Sequence, residues 1–224
     1  MSEEQLFNGI LFVASVIAAV TLFVKALTRD NRVRKVLREF ASMKGLRPGA
    51  AKYPGDMLFE GENRGFPFVI ERISRRGRAV AEAAPSGEHI SLHTGAVTYT
   101  TTRMRLILSG LPLGLTVRGD ESTRKAAGTA RSQDIRTGDP EIDGSFIVKG
   151  RNPEEVVLFL SPERLRALKI YLKGREQLEL RNNEVLYERK NDVTNISELS
   201  RIYKKMGEFA AAFGVPPVVN ERAQ

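Results

Sequence analysis

The first long run of apolar residues stands close to the start of the chain. Twenty residues, from Gln5 to Val24, contain no charged side chain. At about 1.5 Å per residue, a helix of that length reaches roughly 30 Å, which is the thickness of the hydrocarbon core of a bilayer. The pattern therefore predicts an N-terminal transmembrane helix within residues 1–28.

A cleavable signal peptide and a buried core helix are the two alternatives for this run. A signal peptide begins with basic residues, whereas Glu3 and Glu4 precede the apolar run in this chain. No convincing pair of small residues follows the run to form a cleavage site. Its length favours an uncleaved anchor that passes the membrane once.

Basic residues follow the apolar run and predict its orientation. The six nearest are Lys25, Arg29, Arg32, Arg34, Lys35 and Arg38. The cytoplasmic flanks of membrane helices are enriched in Lys and Arg, and such residues are attracted to anionic lipid headgroups. We therefore expect an N-terminus outside, the rest of the chain in the cytoplasm, and these six side chains at the membrane surface.

The next segment has apolar residues at every third or fourth position, namely Val33, Val36, Leu37, Phe40 and Met43. This spacing predicts an amphipathic juxtamembrane helix over residues 29–47 that ends near Gly45 and Pro48. The helix can pack on the domain that follows it or lie on the bilayer, and its basic residues suit either arrangement. Of the two, we favour packing on the domain.

Residues 48–214 change to a pattern of short strands and helices. The predicted strands are Met57–Glu60, Phe66–Ile73, Val97–Leu108, Leu115–Arg118, Ser145–Lys149, Gln177–Leu180 and Glu184–Arg189. Most of the early connections are too short for helical crossovers, so the sheet should be mainly antiparallel. Ser74–Arg78 is predicted to be a basic turn, in which Arg75, Arg76 and Arg78 contact a partner or lipid headgroups.

Three residues with short polar side chains mark the starts of helices. Asn152 and Ser161 each precede a proline, which suits the first helical position, and Asn195 is followed three residues later by Glu198. The last helix should run to Phe213 and pack on the sheet. The fold class is therefore α+β: a transmembrane helix, then about seven strands with several helices and a closing C-terminal helix, then a tail over residues 215–224.

Charge and composition narrow the class of function. The formal net charge is +8, and the segment from Lys25 to Arg47 holds eight basic and two acidic residues, a net of +6. Because this charge is concentrated beside the predicted anchor, the membrane explains it better than nucleic acid does. The chain has no Cys, which excludes disulfides, thiolate metal sites and a cysteine nucleophile.

Two groups of residues resemble metal sites but depart from them in detail. The acidic residues of Asp139–Asp143 match the first half of a calcium loop, yet its twelfth position is Gly150 where a bidentate Glu is needed. His89 and His93 have the spacing of a helical zinc pair, but their neighbours favour a strand or loop, where such residues lie about 13 Å apart. We therefore predict no metal, no cofactor and no catalytic residue.

Residues 138–164 carry a distinctive pattern: Gly138-Asp139-Pro140, Ile142-Asp143, Phe146, Val148, Gly150, Asn152-Pro153, Leu160-Ser161-Pro162 and Arg164. It resembles the pattern of a family of membrane-anchored bacterial proteins whose domain has no assigned function. The resemblance implies a bacterial source, and hence a place in the inner membrane. It supplies no catalytic residues.

Three classes of function fit these observations. An anchor, a basic flank and a compact domain without a catalytic motif favour a membrane-anchored, non-enzymatic interaction or scaffold module, which binds a protein partner or a second copy. The alternative is a domain that senses anionic lipids, by fold analogy with small barrels closed by a helix. A hydrolase that uses the carboxylates of Asp139–Asp143 is less favoured, and a cleft joining them to His89 or His93 would support it.

Overall fold

The computed structural model describes residues 3–78, 96–119, 134–172, 178–190 and 193–214. At 3–11, 22–23, 25–27, 76–78 and 96–99 it describes the backbone alone. The helices are α1 (Glu3–Met43), α2 (Pro140–Ser145), α3 (Pro153–Phe159), α4 (Pro162–Tyr171) and α5 (Ile196–Ala212). The strands are β1 (Arg47–Pro48), β2 (Met57–Asn63), β3 (Phe66–Arg78), β4 (Ala96–Ile107), β5 (Thr116–Gly119), β6 (Phe146–Lys149), β7 (Leu178–Arg181) and β8 (Glu184–Lys190).

The end of α1 is a Schellman motif, in which two backbone N–H groups close the last turn. The N–H of Gly45 donates to the C=O of Ser42 at 3.2 Å, and the N–H of Leu46 donates to the C=O of Ala41 at 2.8 Å. Gly45 has a φ of +66°, in the left-handed region that glycine enters without steric cost. The predicted end of the helix near Gly45 is confirmed.

The predicted anchor and the predicted juxtamembrane helix belong to one continuous helix, because α1 has no break between its ends. Among the residues that the structure describes, no helix is long and apolar enough to cross a bilayer. Part of the predicted span, at 5–11 and 22–23, has side chains outside the described residues. The transmembrane helix therefore stays a prediction from the sequence.

The strands form one antiparallel sheet of eight strands in the order β1-β2-β3-β4-β8-β7-β5-β6. Tight turns at Arg64-Gly65 and Asn182-Asn183 join β2 to β3 and β7 to β8. Arg64 and Gly65 have φ values of 55° and 82°, and the two asparagines have 50° and 65°. Positive φ at both central residues is what a type I′ turn requires, and its twist matches that of the flanking strands.

The hydrophobic core lies between one face of the sheet and the helices α1, α4 and α5. From α1 it takes Val33, Leu37 and Phe40, each at most 1 % exposed, so the predicted packing of this segment on the domain is confirmed. Met43, which the same spacing had placed on the apolar face, is 61 % exposed. The closing helix α5 packs its apolar side on the sheet, as the sequence predicted.

Two sequence predictions about the sheet are corrected. Within the residues that the structure describes, the sheet has eight strands instead of about seven, since the short β1 adds to one edge. Ser74–Arg78 is not a turn, because β3 continues through it and pairs with β4 as far as Arg78 opposite Ala96. The Thr- and Tyr-rich β4 supplies a long strand partner, and this pairing outweighs the local turn signal of Gly77.

Candidate membrane-facing surface

The part of α1 that precedes the core is apolar and exposed. Every residue from Phe12 to Thr21 is exposed, and the exposed fractions of Phe12 and Ile17 are 70 % and 61 %. The hydroxyl of Thr21 donates to the C=O of Ile17 at 2.7 Å, so its hydrogen bond is made within the helix. This segment therefore offers a surface on which apolar groups predominate.

The basic residues after this segment fall into two groups. Four of the six that we predicted to contact the membrane surface are exposed: Arg29, Arg32, Lys35 and Arg38. Arg34 is held by Asp30 at 2.7 Å and donates to the C=O of Gly55 at 3.3 Å, so it ties α1 to the loop before β2. The side chain of Lys25 lies outside the described residues.

A buried arginine connects α1 to the sheet. The guanidinium of Arg72, in β3, lies 2.6 Å from a carboxylate oxygen of Asp30, and the side chain of Arg72 is only 4 % exposed. Burial by itself would raise the pKa of Asp30, but the hydrogen bonds and positive charges of Arg34 and Arg72 outweigh it. The pKa of Asp30 is therefore lowered from its ordinary value of 3.8.

Two contacts show the direction of β3 relative to α1. The ring of Phe68 lies 4.8 Å from that of Tyr203, which lies 5.8 Å from the ring of Phe40. The start of β3 is therefore level with the end of α1, whereas Arg72 is level with Asp30. Since β3 and α1 run in opposite directions, the end of β3 points towards the apolar segment of α1.

A basic–aromatic cluster, formed by Lys52, Tyr53 and Arg75, lies at this end of the domain. The guanidinium carbon of Arg75 is 4.6 Å from the ring centroid of Tyr53, and the Lys52 Nζ is 5.4 Å from the same centroid. Arg75 also binds the Asp56 carboxylate at 3.1 Å. Lys52 and Tyr53 were not predicted from the sequence, although an aromatic residue between a lysine and the Pro54-Gly55 turn was a visible signal.

The structure brings one of the three predicted contact arginines into this cluster. The side chains of Arg76 and Arg78 lie outside the described residues, and their backbones pair with Thr98 and Ala96 of β4. The three arginines lie along one strand and not at the corner of a turn. Only Arg75 can therefore be assigned a place on the surface.

The acidic residues of Asp139–Asp143 have structural partners. Asp139 caps α2 by accepting the N–H of Glu141 at 3.0 Å, and the Lys169 Nζ lies 2.7 Å from Asp139 and 3.2 Å from the Glu141 carboxylate. The hydrogen bond from Lys169 lowers the pKa of Asp139. Asp143 accepts the N–H of Thr137 at 2.8 Å. A calcium ion would have to displace Lys169 from the carboxylates of Asp139 and Glu141, which argues against the calcium loop.

The last residue of the distinctive pattern, Arg164, joins the ends of two helices. Its guanidinium donates to the C=O of Phe159 at 2.7 Å and to the C=O of Phe213 at 3.1 Å, and it lies 3.9 Å from the ring centroid of Phe159. A cation at the C-terminal ends of helices is favourable because unpaired carbonyls point there. Arg164 therefore stabilises the fold.

The histidine pair is the other group of residues that the sequence singled out for metal binding. His89 and His93 lie outside the described residues, and within those residues no group of His, Asp and Glu is placed to hold a metal ion.

An apolar groove of about 630 Å³ lies beside α3, and it is lined by Asp134, Ile135, Arg136, Pro153, Glu154, Val157 and Leu158. Leu158 is 84 % exposed there.

Comparison with known proteins gives no relative from which a function could be transferred. No model of a protein family matches the chain, and neither the curated proteins nor the solved structures provide a match. Its function must therefore be inferred from its own residues and their geometry.

Proposed function

We propose that this protein is a single-pass, membrane-anchored, non-enzymatic interaction or scaffold module. Its folded domain lies on the cytoplasmic side of the bacterial inner membrane. The observation that carries the proposal is the division of α1. Its Val33, Leu37 and Phe40 are buried in the core, whereas every residue of Phe12–Thr21 is exposed. One helix therefore serves as both the anchor and a part of the domain.

A lipid environment suits the exposed segment of α1 best. Six large apolar side chains are at least 46 % exposed there: Phe12, Val13, Val16, Ile17, Val20 and Val24. Removing one such side chain from water is worth about 1.5–3 kcal/mol. Together with the uncharged residues 5–11 that precede them, these residues support insertion into a bilayer.

The charges beyond the apolar segment support the proposed orientation. Arg29, Arg32, Lys35 and Arg38 are exposed after the apolar run, whereas Glu3 and Glu4 stand on its other side. Juxtamembrane basic residues are attracted to anionic headgroups by about 1 kcal/mol each. This arrangement favours a domain on the cytoplasmic side.

An interaction module fits the domain better than an enzyme does. The carboxylates that could have served a hydrolase cap a helix, bind Lys169 and brace a loop. The apolar groove beside α3, with the exposed Leu158, is a surface of the kind that binds protein partners. The resemblance of residues 138–164 to membrane-anchored bacterial proteins is in line with this proposal.

Membrane residence can be tested by placing charges in the exposed segment of the full chain. The double variant Val16→Arg, Ile17→Arg adds two arginines, each of which costs about 2.5–3.5 kcal/mol at the centre of a membrane helix. We expect the unaltered protein to stay with membranes after alkaline carbonate washing and the variant to be released. Met43→Arg, on the same helix and at a site that is 61 % exposed, is the matched control and should stay.

Release of the unaltered protein by carbonate would show that the anchor is wrong. The binding partner is a separate question, which brief cross-linking in membranes followed by mass spectrometry can answer. We expect one stoichiometric protein partner. Recovery of lipid and copies of this chain alone would favour the lipid-sensing alternative.

A further inference from the structure

We infer that the basic–aromatic cluster of Lys52, Tyr53 and Arg75 is a second membrane contact, which binds the phosphate groups of anionic phospholipids. The inference rests on the proposed anchor, because a membrane-spanning α1 is what brings the bilayer next to the folded domain. It adds a lipid-binding site on the folded domain to the anchor itself.

The geometry of α1 and β3 places the cluster at the depth of the headgroups. Asp30 follows Val24, the last residue of the uncharged run, by about 9 Å along the helix. The headgroup layer extends about 5–7 Å beyond the hydrocarbon on each side of a bilayer. Arg72, which binds Asp30 at 2.6 Å, therefore lies just beyond the headgroups.

From Arg72, β3 continues towards the bilayer. The strand opposes α1 in direction, as the contacts of Phe68 and Arg72 show. Three further residues lead to Arg75 and advance about 10 Å along the strand. This distance brings Arg75 about level with Val24, at the inner edge of the headgroup layer, and the Tyr53 ring centroid is 4.6 Å from its guanidinium carbon.

The loop that carries Lys52 and Tyr53 is fixed at this level by two hydrogen bonds. Arg34 of α1 donates to the C=O of Gly55 at 3.3 Å, and the N–H of Ser74 donates to the Asp56 carboxylate at 2.7 Å. The loop is thus attached to both the helix and the strand. Its position relative to the membrane is set by elements that the core holds in place.

The chemistry of the cluster suits a phospholipid headgroup. Tyr53 is 46 % exposed, and tyrosine is enriched at the membrane–water interface because it combines an apolar ring with a polar tip. Lys52 and Arg75 supply cationic groups for phosphate. Arg75 is partly neutralised by Asp56, which is 3.1 Å away, so Lys52 should provide much of the attraction to anionic lipid.

A single tryptophan can measure this contact, because the chain contains none. Tyr53→Trp is made in the full chain, which is reconstituted into vesicles of phosphatidylcholine with phosphatidylglycerol and headgroup-proximal spin-labelled lipid. Met43→Trp is the control, since Met43 is 61 % exposed and lies about 28 Å beyond Val24 along α1. We expect strong quenching of the indole fluorescence in Tyr53→Trp and little quenching in Met43→Trp.

Loss of one charge should weaken the contact. In the Tyr53→Trp background, Lys52→Ala should lower the ratio of docked to undocked domain about fivefold, as removal of one basic residue near the surface does. Lys204→Ala removes another exposed lysine, at the far end of the domain, and should leave the quenching unchanged. Vesicles of phosphatidylcholine alone should quench the Tyr53→Trp protein more weakly.

Flotation of the vesicles separates the two proposals. If the protein floats with the vesicles but Tyr53→Trp is quenched no more than Met43→Trp, the anchor stands and the lipid contact is overturned. Equal effects of Lys52→Ala and Lys204→Ala would also overturn the lipid contact. If the protein does not float, the anchor is overturned and the lipid contact with it.

Discussion

The two halves of α1 are both helical and both rich in apolar residues, yet they have opposite surroundings. In the second half, Val33, Leu37 and Phe40 recur with the helical repeat and are buried, while charged residues occupy the other sides. In the first half, large side chains such as Phe12 and Ile17 are exposed, and no charged residue interrupts the apolar run. The distribution of charge, and not the content of apolar residues, distinguishes a helix for a protein core from one for lipid.

Replacing a phenylalanine by alanine in each half of α1 should give the largest difference in the free energy of unfolding. Phe40→Ala removes a side chain that is fully buried against Tyr203, and we expect it to lower the free energy of unfolding by about 3–5 kcal/mol. Phe12→Ala removes one that is 70 % exposed and should change it by less than about 0.5 kcal/mol. Urea unfolding of both variants in mild detergent, followed by circular dichroism, measures the difference. Equal effects would contradict the assignment of the second half to the core.

A substitution in α5, which packs beside α1, tests how tightly the core around the second half of α1 is packed. A Cβ at Gly207, in α5, would overlap the side-chain Oδ1 of Asn63, a residue that is 3 % exposed. The amide nitrogen of Asn63 donates to the C=O of Tyr203 at 2.6 Å, so this side chain is held in place. Gly207→Ala should therefore cost about 1–3 kcal/mol of stability, despite the better helix propensity of alanine.

Gly144 in α2 is the matched control for this substitution. A Cβ there would meet nothing within 4 Å, so Gly144→Ala should be neutral or stabilise by up to about 1 kcal/mol. Thermal melts of the two variants should therefore differ, with a lowered Tm for Gly207→Ala alone. A stabilising Gly207→Ala would show that the contact with Asn63 is loose.

The junction between the two halves should give the smallest effect, and one that depends on pH. Asp30→Asn removes the charge that faces Arg72. We expect the free energy of unfolding to fall by about 1 kcal/mol near neutral pH, a small value because Asp30 is about one-third exposed and solvent screens the ion pair. The pKa of Asp30 is lowered in the folded state, so its contribution is present above the ordinary value of 3.8 and is lost as the pH falls through the lowered pKa.

The free energies of unfolding of Asp30→Asn and of the unaltered protein should therefore become equal as the pH is lowered from neutral to acidic. Glu39→Gln, an exposed charge change on the same helix, is the control and should stay close to the unaltered protein at every pH. A constant difference between Asp30→Asn and the unaltered protein would show that the ion pair does not contribute through its charge.

Local signals in the sequence predicted much of the fold. The caps at Asn152, Ser161 and Asn195 accept backbone N–H bonds as expected, and Asn182-Asn183 forms the predicted hairpin turn. These features depend on a few neighbouring residues, so a short stretch of sequence contains the information needed. The strand at β4 was predicted correctly for the same reason.

Contacts between distant parts of the chain were not predicted. The length of β3 depends on its pairing with β4, and the level of Arg75 depends on the contact of Arg72 with Asp30, 42 residues earlier in the chain. The spacing of Asn195 and Glu198 predicts a capping box, in which the Glu198 carboxylate accepts the Asn195 N–H, but in the structure this carboxylate binds Arg189 of β8. Such partners are determined by the packing of the whole domain, and no local pattern identifies them.

The unbroken course of α1 has a mechanical consequence. From Ile10 to Met43 the helix contains neither glycine nor proline, so nothing in its sequence provides a kink. A spanning helix responds to a thinner bilayer by tilting. Because α1 continues into the core, a tilt of about 10° would swing its far end by roughly 5 Å and rotate the domain with it. If α1 spans the membrane as proposed, a change in bilayer thickness would therefore tilt the domain against the membrane surface by the same angle.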